Sequence, residues 1–188
     1  MKNILVIGAC GQIGSELTPT LRGIYGTDHV VAADCVYPLK GALAESGPSC
    51  KIDATCAEDI ANAVKKYNID TIFNLAAILS AKAEANPMLG WNVGVGAVLN
   101  CLEVARELKC SVFTPSSIGA FGPGTPANNT PQDTIQRPQT IYLPDIQQHR
   151  YIHSASAEHY LLNKTVCYNV HGLNDKYYPH YGYRVMHK

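Results

Sequence analysis

An α/β fold built on a doubly wound parallel sheet is predicted by three observations in this 188-residue chain. Short apolar, β-branched runs alternate with helical stretches, which implies a parallel sheet with right-handed crossovers. The first run ends in a glycine-rich turn, Gly8-Ala9-Cys10-Gly11-Gln12-Ile13-Gly14, that opens directly into a helix. The second ends in an acidic residue, Asp34.

Asn3 to Ile7 is, after its first residue, an apolar, β-branched run, as a strand buried on both faces is. Gln12 to Tyr25 reads as a helix with Ile13, Leu17 and Leu21 on its inner face, and Pro19 predicts a kink or local break. His29 to Ala33 is a second strand and Ser49 to Ile52 a short third. Thr55-x-x-Glu58 has the form of a capping box, starting a helix through Ala61, Val64 and Tyr67. Asp70 to Leu75 is the next strand. Pro87 to Leu108 is a long helix with Val95, Val98, Leu99, Leu102 and Ala105 along one stripe, and Ser111 to Pro115 follows as a strand.

Apolar residues at 46%, charged residues at 16% and no net charge describe a globular protein. Charge balance argues against nucleic acid or an anionic membrane as the main partner. No apolar run approaches the roughly 20 residues of a membrane span, and Ile4 to Ile7 is too short for a signal peptide. A cytoplasmic location is therefore expected. The seven cysteines contain no Cys-x-x-Cys pair and read as reduced thiols. The tail histidines His149, His153 and His159 complete no ligand set, so no metal is expected.

The glycine turn carries the first chemistry. Gly8 permits the tight turn, Gly11 lets the backbone approach a pyrophosphate, and Gly14 lets the helix pack close to the strand. The amides of Gln12 and Ile13 lie at the helix start, where free N–H groups and a partial positive charge favour phosphate. Asp34 is placed to accept hydrogen bonds from adenosine ribose hydroxyls and to repel a 2′-phosphate, which favours NAD over NADP. This makes the predicted sheet Rossmann-type. Asp53 either lies beside the adenine or caps the following helix, and the sequence leaves the two open.

Two further segments, Asn74-Leu75-Ala76-Ala77 and Pro115-Ser116-Ser117-Ile118-Gly119-Ala120-Phe121-Gly122-Pro123, give the chain a family resemblance. With the glycine turn they resemble the extended short-chain dehydrogenase/reductase family. Gly11 to Pro19, Ala77-Ile78-Leu79-Ser80-Ala81 and Asn129 to Ile135 are similar to the NAD-dependent L-threonine 3-dehydrogenases within it. The resemblance implies NAD as cofactor, held also by Leu75, Ala76 and Ala77. It implies L-threonine as a small-molecule substrate, oxidised to 2-amino-3-oxobutanoate, with Ser80 and Ser116 lining its pocket. It implies that Ser117 hydrogen-bonds the reacting oxygen while Tyr142, as phenolate, takes the hydroxyl proton. The long helix bearing Trp91 is one that pairs subunits in this family, which implies a homodimer.

The resemblance covers residues 1–142, read as a nucleotide-binding domain; residues 143–188 read as an irregular, partly disordered tail. In the family a lysine one helical turn beyond the tyrosine lowers its pKa; here that position is Ile146, and Pro144 precedes it. A phenol with pKa near 10 is a poor base without such a charge. Tyr160-Leu161-Leu162-Asn163-Lys164 has the Tyr-x-x-x-Lys form but lies too late to be the family dyad. Gly94 also stands where the family has asparagine. The family's next strand is expected to be missing, leaving an exposed sheet edge. Composition changes abruptly after Tyr142, where six of the seven histidines and seven of the eleven tyrosines fall. That predicts a C-terminally truncated fold produced by a shifted frame or altered gene end, which re-reading the nucleotide sequence checks. Three functions remain: an impaired threonine dehydrogenase, a non-catalytic NAD-binding remnant or regulatory module, and a nucleotide-sugar epimerase/dehydratase.

Overall fold

Four consecutive apolar residues with both faces covered form the centre of the sheet. In β1 (Ile4–Ile7) every residue is buried, with Ile4 and Val6 in one core and Leu5 and Ile7 in the other. The computed structural model describes residues 1–116, 123–126, 128–129 and 165–169. Its further strands are β2 (Val30–Asp34), β3 (Ser49–Lys51), β4 (Thr71–Asn74), β5 (Ser111–Ser116) and β6 (Thr165–Asn169). The six run parallel in the order β3-β2-β1-β4-β5-β6. Strand order reverses between β1 and β4, so the crevice at their C-terminal ends is where such sheets bind ligands.

Helices cover both faces. α1 (Gln12–Tyr25) packs on the Ile4/Val6 side with Leu21, Val30, Ala32 and Leu39. On the other side lie α3 (Ala57–Tyr67) and α6 (Ala97–Leu108), which bury Ile60, Ala63 and Val64 and Ala97, Val98, Cys101, Leu102, Val104 and Ala105. Two short helices, α2 (Ala42–Glu45) and α4 (Ser80–Ala85), lie in connections that the sequence left without structure.

The expected helix from Pro87 to Leu108 is continuous but not uniform. It runs as α5 (Pro87–Trp91), one π turn over Asn92–Gly96, and α6. Asn86 caps α5, its Oδ1 accepting from the Leu89 amide at 3.1 Å. By length and composition alone this 22-residue stretch could cross a membrane, yet its α6 portion packs on the sheet. Val95, Val98, Leu102 and Ala105 are buried as the stripe predicts, whereas Leu99 points outward at 43% exposure.

Three local expectations are corrected. α1 runs without a break through Pro19, which is exposed, so its ring stands on the solvent side of the helix. The inner face of α1 is Gly14, Thr18, Leu21 and Arg22, with Ile13 43% exposed, because the close approach of Gly14 to the β1 turn sets the helix phase. The Thr55 capping box does not form. The Thr55 hydroxyl donates to Asp53 Oδ1 at 2.7 Å instead, and Cys56 takes the cap position without a side-chain bond.

A further correction concerns the sheet edge. β6 pairs with β5 from Val112↔Thr165 to Ser116↔Asn169, so a strand covers the β5 edge that was expected to be exposed. Its sequence, Thr165-Val166-Cys167-Tyr168-Asn169, is β-branched and aromatic enough to have signalled a strand.

Thr18 Oγ1 is buried with no hydrogen-bond partner among the described residues. A buried hydroxyl without a partner is destabilising, and valine matches the shape of threonine without the oxygen. Thr18→Val is expected to raise the unfolding free energy by about 1 kcal/mol, read as a higher urea midpoint at unchanged slope.

Candidate functional site

Every expected site residue that the structure describes lies along the C-terminal edge of the sheet. Parallel strands put all their chain exits on one side, so the turns after β1, β2, β3 and β4 and the end of β5 share that edge.

The turn after β1 is fixed by its glycines. Gly8 has φ +83°, and a Cβ there would lie 2.9 Å from the Leu75 carbonyl carbon and 3.0 Å from the Ala76 amide. That contact brings the segment after β4 against the glycine turn, joined also by the Leu75 amide donating to the Ile7 carbonyl at 2.9 Å. A Cβ on Gly14 would collide with the Gly8 carbonyl and lie 2.7 Å from Ala9 Cα. α1 therefore starts flush against the strand exit.

The turn's own amides are partly committed. Gly8 and Ala9 donate to the Ala33 carbonyl at 2.9 and 3.0 Å, and Gly11 donates to the Gly8 carbonyl at 3.1 Å. Gly11 occupies the N-cap of α1 with no side-chain bond, and Gln12 and Ile13 begin the helix, exposed. The first-turn amides of Gln12, Ile13 and Gly14 have no carbonyl four residues earlier within the helix, which makes this end an anion-binding position.

Asp34 ends β2 and is 7% exposed. Its Oδ2 accepts from the Cys10 amide at 2.9 Å and its Oδ1 from the Val36 amide at 3.0 Å. The carboxylate is thus tied to the glycine turn at the C-terminal end of β2. Sequence reading found Asp34 but not this bond. It is a backbone donor, and residue type carries no sign of it.

Asp53 follows β3, and its two open readings are narrowed by what it holds. Its Oδ1 accepts from the Thr55 amide at 2.9 Å and the Thr55 hydroxyl, and its carbonyl accepts from the Cys56 amide at 2.9 Å. These bonds, the hydroxyl first and then the amide, hold its carboxyl below the usual carboxylate range. Asp53 thus builds the turn into α3 as well as standing on the site edge.

After β4, Asn74 is buried and its Oδ1 accepts from the Ala76 amide at 3.3 Å, shaping the Leu75-Ala76-Ala77 exit. Leu75 and Ala76 are half-buried and Ala77 is exposed. Ser80 is exposed at the first position of α4. Ser116 is the last residue of β5, two strands from β1 on the same edge. Gly94, where the resemblance expects asparagine, falls in the π turn. Ser117, Tyr142, Ile146, Tyr160 and Lys164 lie outside the described residues. Among the described residues no group of three or more His, Cys, Asp or Glu side chains is placed to hold a metal ion.

Arg22, whose partners lie at the opposite edge of the sheet from the site, was not anticipated. Burial pushes its guanidinium pKa down. It donates to the carbonyls of Val30 at 3.3 Å, Leu43 at 3.0 Å and Pro48 at 2.8 Å, and to Ser46 Oγ at 2.6 Å. One side chain of α1 thereby fixes the connection between β2 and β3 that follows Asp34.

Comparison with known proteins gives a consistent picture. The family model described as the NAD dependent epimerase/dehydratase family matches residues 4–187. An uncharacterized epimerase/dehydratase of Staphylococcus saprophyticus is 49% identical over 142 residues, 76% of this chain and 44% of its own. The L-threonine dehydrogenase of Clostridium difficile is 41% identical with a TM-score of 0.83, over 89% of this chain and 53% of that one. A UDP-glucose 4-epimerase of Brucella ovis in complex with NAD, at 20% identity and a TM-score of 0.78, shares the fold. The chain spans about half the length of the relatives it matches.

Proposed function

We propose that this chain, which belongs to the NAD dependent epimerase/dehydratase family, binds NAD and carries an impaired chemistry of the L-threonine 3-dehydrogenase type. The observation that supports the binding most directly is the bond from the Cys10 amide to Asp34 Oδ2 at 2.9 Å. It makes the phosphate-binding turn and the ribose-binding carboxylate one rigid unit, so the spacing they present is set before any ligand arrives.

In this reading the amides of Gln12, Ile13 and Gly14 take the pyrophosphate and Asp34 takes the adenosine ribose hydroxyls. Asp53 borders the adenine, while Leu75, Ala76 and Ala77 form the wall beside the glycine turn. NAD, when bound, supplies the hydride acceptor. Ser80 and Ser116 line the pocket for L-threonine, Ser117 hydrogen-bonds its hydroxyl oxygen, and Tyr142 takes the proton. The similarity to the Clostridium difficile enzyme, at 41% identity, supports this substrate over a sugar nucleotide. A homodimer, a cytoplasmic location and the absence of nucleic-acid or membrane partners belong to the same proposal.

The impairment follows from Ile146. A phenol of pKa near 10 is almost wholly protonated at neutral pH, and an isoleucine supplies no charge to stabilise its anion. That residue also favours a second reading, a non-catalytic NAD-binding module. Calorimetry with NAD and NADP, and NADH formation from L-threonine, test both. NAD binding with preference over NADP is expected, with turnover weak at pH 7 and lost in Tyr142→Phe. NAD binding with no turnover at any pH selects the module. Absence of NAD binding overturns the proposal, and turnover that survives Tyr142→Phe but falls in Tyr160→Phe overturns the assignment of the base.

A further inference from the structure

Two cysteines that the proposed reaction does not use flank the same carboxylate. Cys10 belongs to the glycine turn and Cys35 directly follows Asp34; both are free and exposed. Cys35 Sγ donates to Asp34 Oδ1 at 3.6 Å, and the Cys10 amide donates to Asp34 Oδ2 at 2.9 Å. The charges of both Asp34 and Cys35 act on the Cys10 thiol, so the two thiols and the carboxylate share one neighbourhood. The other described cysteines are placed differently. Cys101 and Cys110 are buried, with burial pushing their thiols up to about 12 and about 11, and Cys50 is half-buried. Cys56 is exposed but sits at the start of α3.

We propose that Cys10 and Cys35 form an oxidisable thiol pair whose disulfide closes the ribose end of the dinucleotide site. The closing effect rests on the NAD-binding reading above; the pairing does not. With hydrogen peroxide as oxidant, one thiol sulfur attacks the O–O bond, keeps one oxygen as a sulfenic acid and releases water. The second sulfur then attacks the first, the S–O bond breaks, and the oxygen leaves as a second water. Two thiols lose two hydrogens and two electrons, and the peroxide is reduced to water. The new bond spans the front of Asp34, where the ribose hydroxyls are to be accepted. Burial and the Asp34 charge hold both thiols above their ordinary pKa. Thiolate is the attacking form, so these raised values slow the oxidation at neutral pH.

The test uses the full chain, reduced, freed of reductant, exposed to hydrogen peroxide and then alkylated for peptide mapping. The expected result is one linked peptide pair joining Cys10 to Cys35, lighter by two hydrogens. NAD affinity should fall by about tenfold or more, the loss of a ribose hydrogen bond to a charged group, and return with dithiothreitol. Cys35→Ser should give no linked pair. Separately alkylated Cys10 and Cys35, a link from either to Cys50 or Cys56, or a Cys10–Cys35 link that leaves NAD affinity unchanged overturns the proposal. If the reduced chain binds no NAD, the proposed function fails, while the linked peptide still decides the pairing.

Discussion

Gly14→Ala is expected to destabilise the chain by about 3 kcal/mol, from the cost of forcing one added methyl into a packed contact. A Cβ at Gly14 meets the Gly8 carbonyl and lies 2.7 and 2.9 Å from Ala9 Cα and C. All are backbone atoms of the strand exit, so no side chain can swing aside. α1 would have to lift off β1, carrying Leu21 and Arg22 with it. Alanine is otherwise the better helix former, by about 1 kcal/mol over glycine, so the steric term must exceed that gain. Gly23→Ala is the matched control: the same helix, the same substitution, and nothing within 4 Å of the added carbon. Urea unfolding should show Gly14→Ala with a much lower midpoint and Gly23→Ala with an equal or higher one. Equal midpoints for the two would show that α1 does not depend on this approach.

Asp34→Asn is expected to weaken NAD binding by roughly 30- to 100-fold, equivalent to about 2–3 kcal/mol for hydrogen bonds to a charged acceptor. Asparagine keeps an oxygen for the Cys10 or Val36 amide, now held at 2.9 and 3.0 Å by the two carboxylate oxygens. The other amide then faces the side-chain NH2, a second donor, so a stability loss of about 1–3 kcal/mol is expected as well. The preference for NAD over NADP should also shrink, since the neutral side chain no longer repels a 2′-phosphate. Calorimetric titration of both cofactors, beside a urea curve, separates the effects. A large stability loss with unchanged affinity would place Asp34 in the fold alone.

The limits of α1 and the strands were legible because the residues that set them are local. Gly8 and Gly11 bound the start of α1, and Ile4 to Ile7 has no polar residue until the turn. The face that α1 buries was not legible. Its phase is set by Gly14 meeting the backbone of Gly8 and Ala9 where the chain turns back from β1, and Ile13, although apolar, is turned outward. Thr55 and Glu58 fit the capping pattern, but Asp53 two residues earlier competes for the hydroxyl and wins it. β6 was missed for a different reason: its β-branched and aromatic residues, Thr165, Val166 and Tyr168, stand within a stretch whose composition obscured them. In the site, residue types named Asp34 and the glycines. The Cys10 amide and the four bonds of Arg22 arise from chain reversal and could not be named from types.

The contact between Gly8 and the Leu75–Ala76 peptide has a bearing on the order of assembly. β1 pairs with β4 from Ile4↔Thr71 to Ile7↔Asn74, a non-local pairing that closes a long loop of chain. Such closure is slow relative to helix formation. The glycine turn precedes β4 in the chain and is synthesised before it, yet one wall of the turn is made by residues that follow β4. A nascent chain that has not passed Ala76 therefore has the glycine sequence but not the finished cradle. Cofactor capture during synthesis must wait for β4 to dock, and bound NAD would then act as a latch on that late step rather than as a template for the early one.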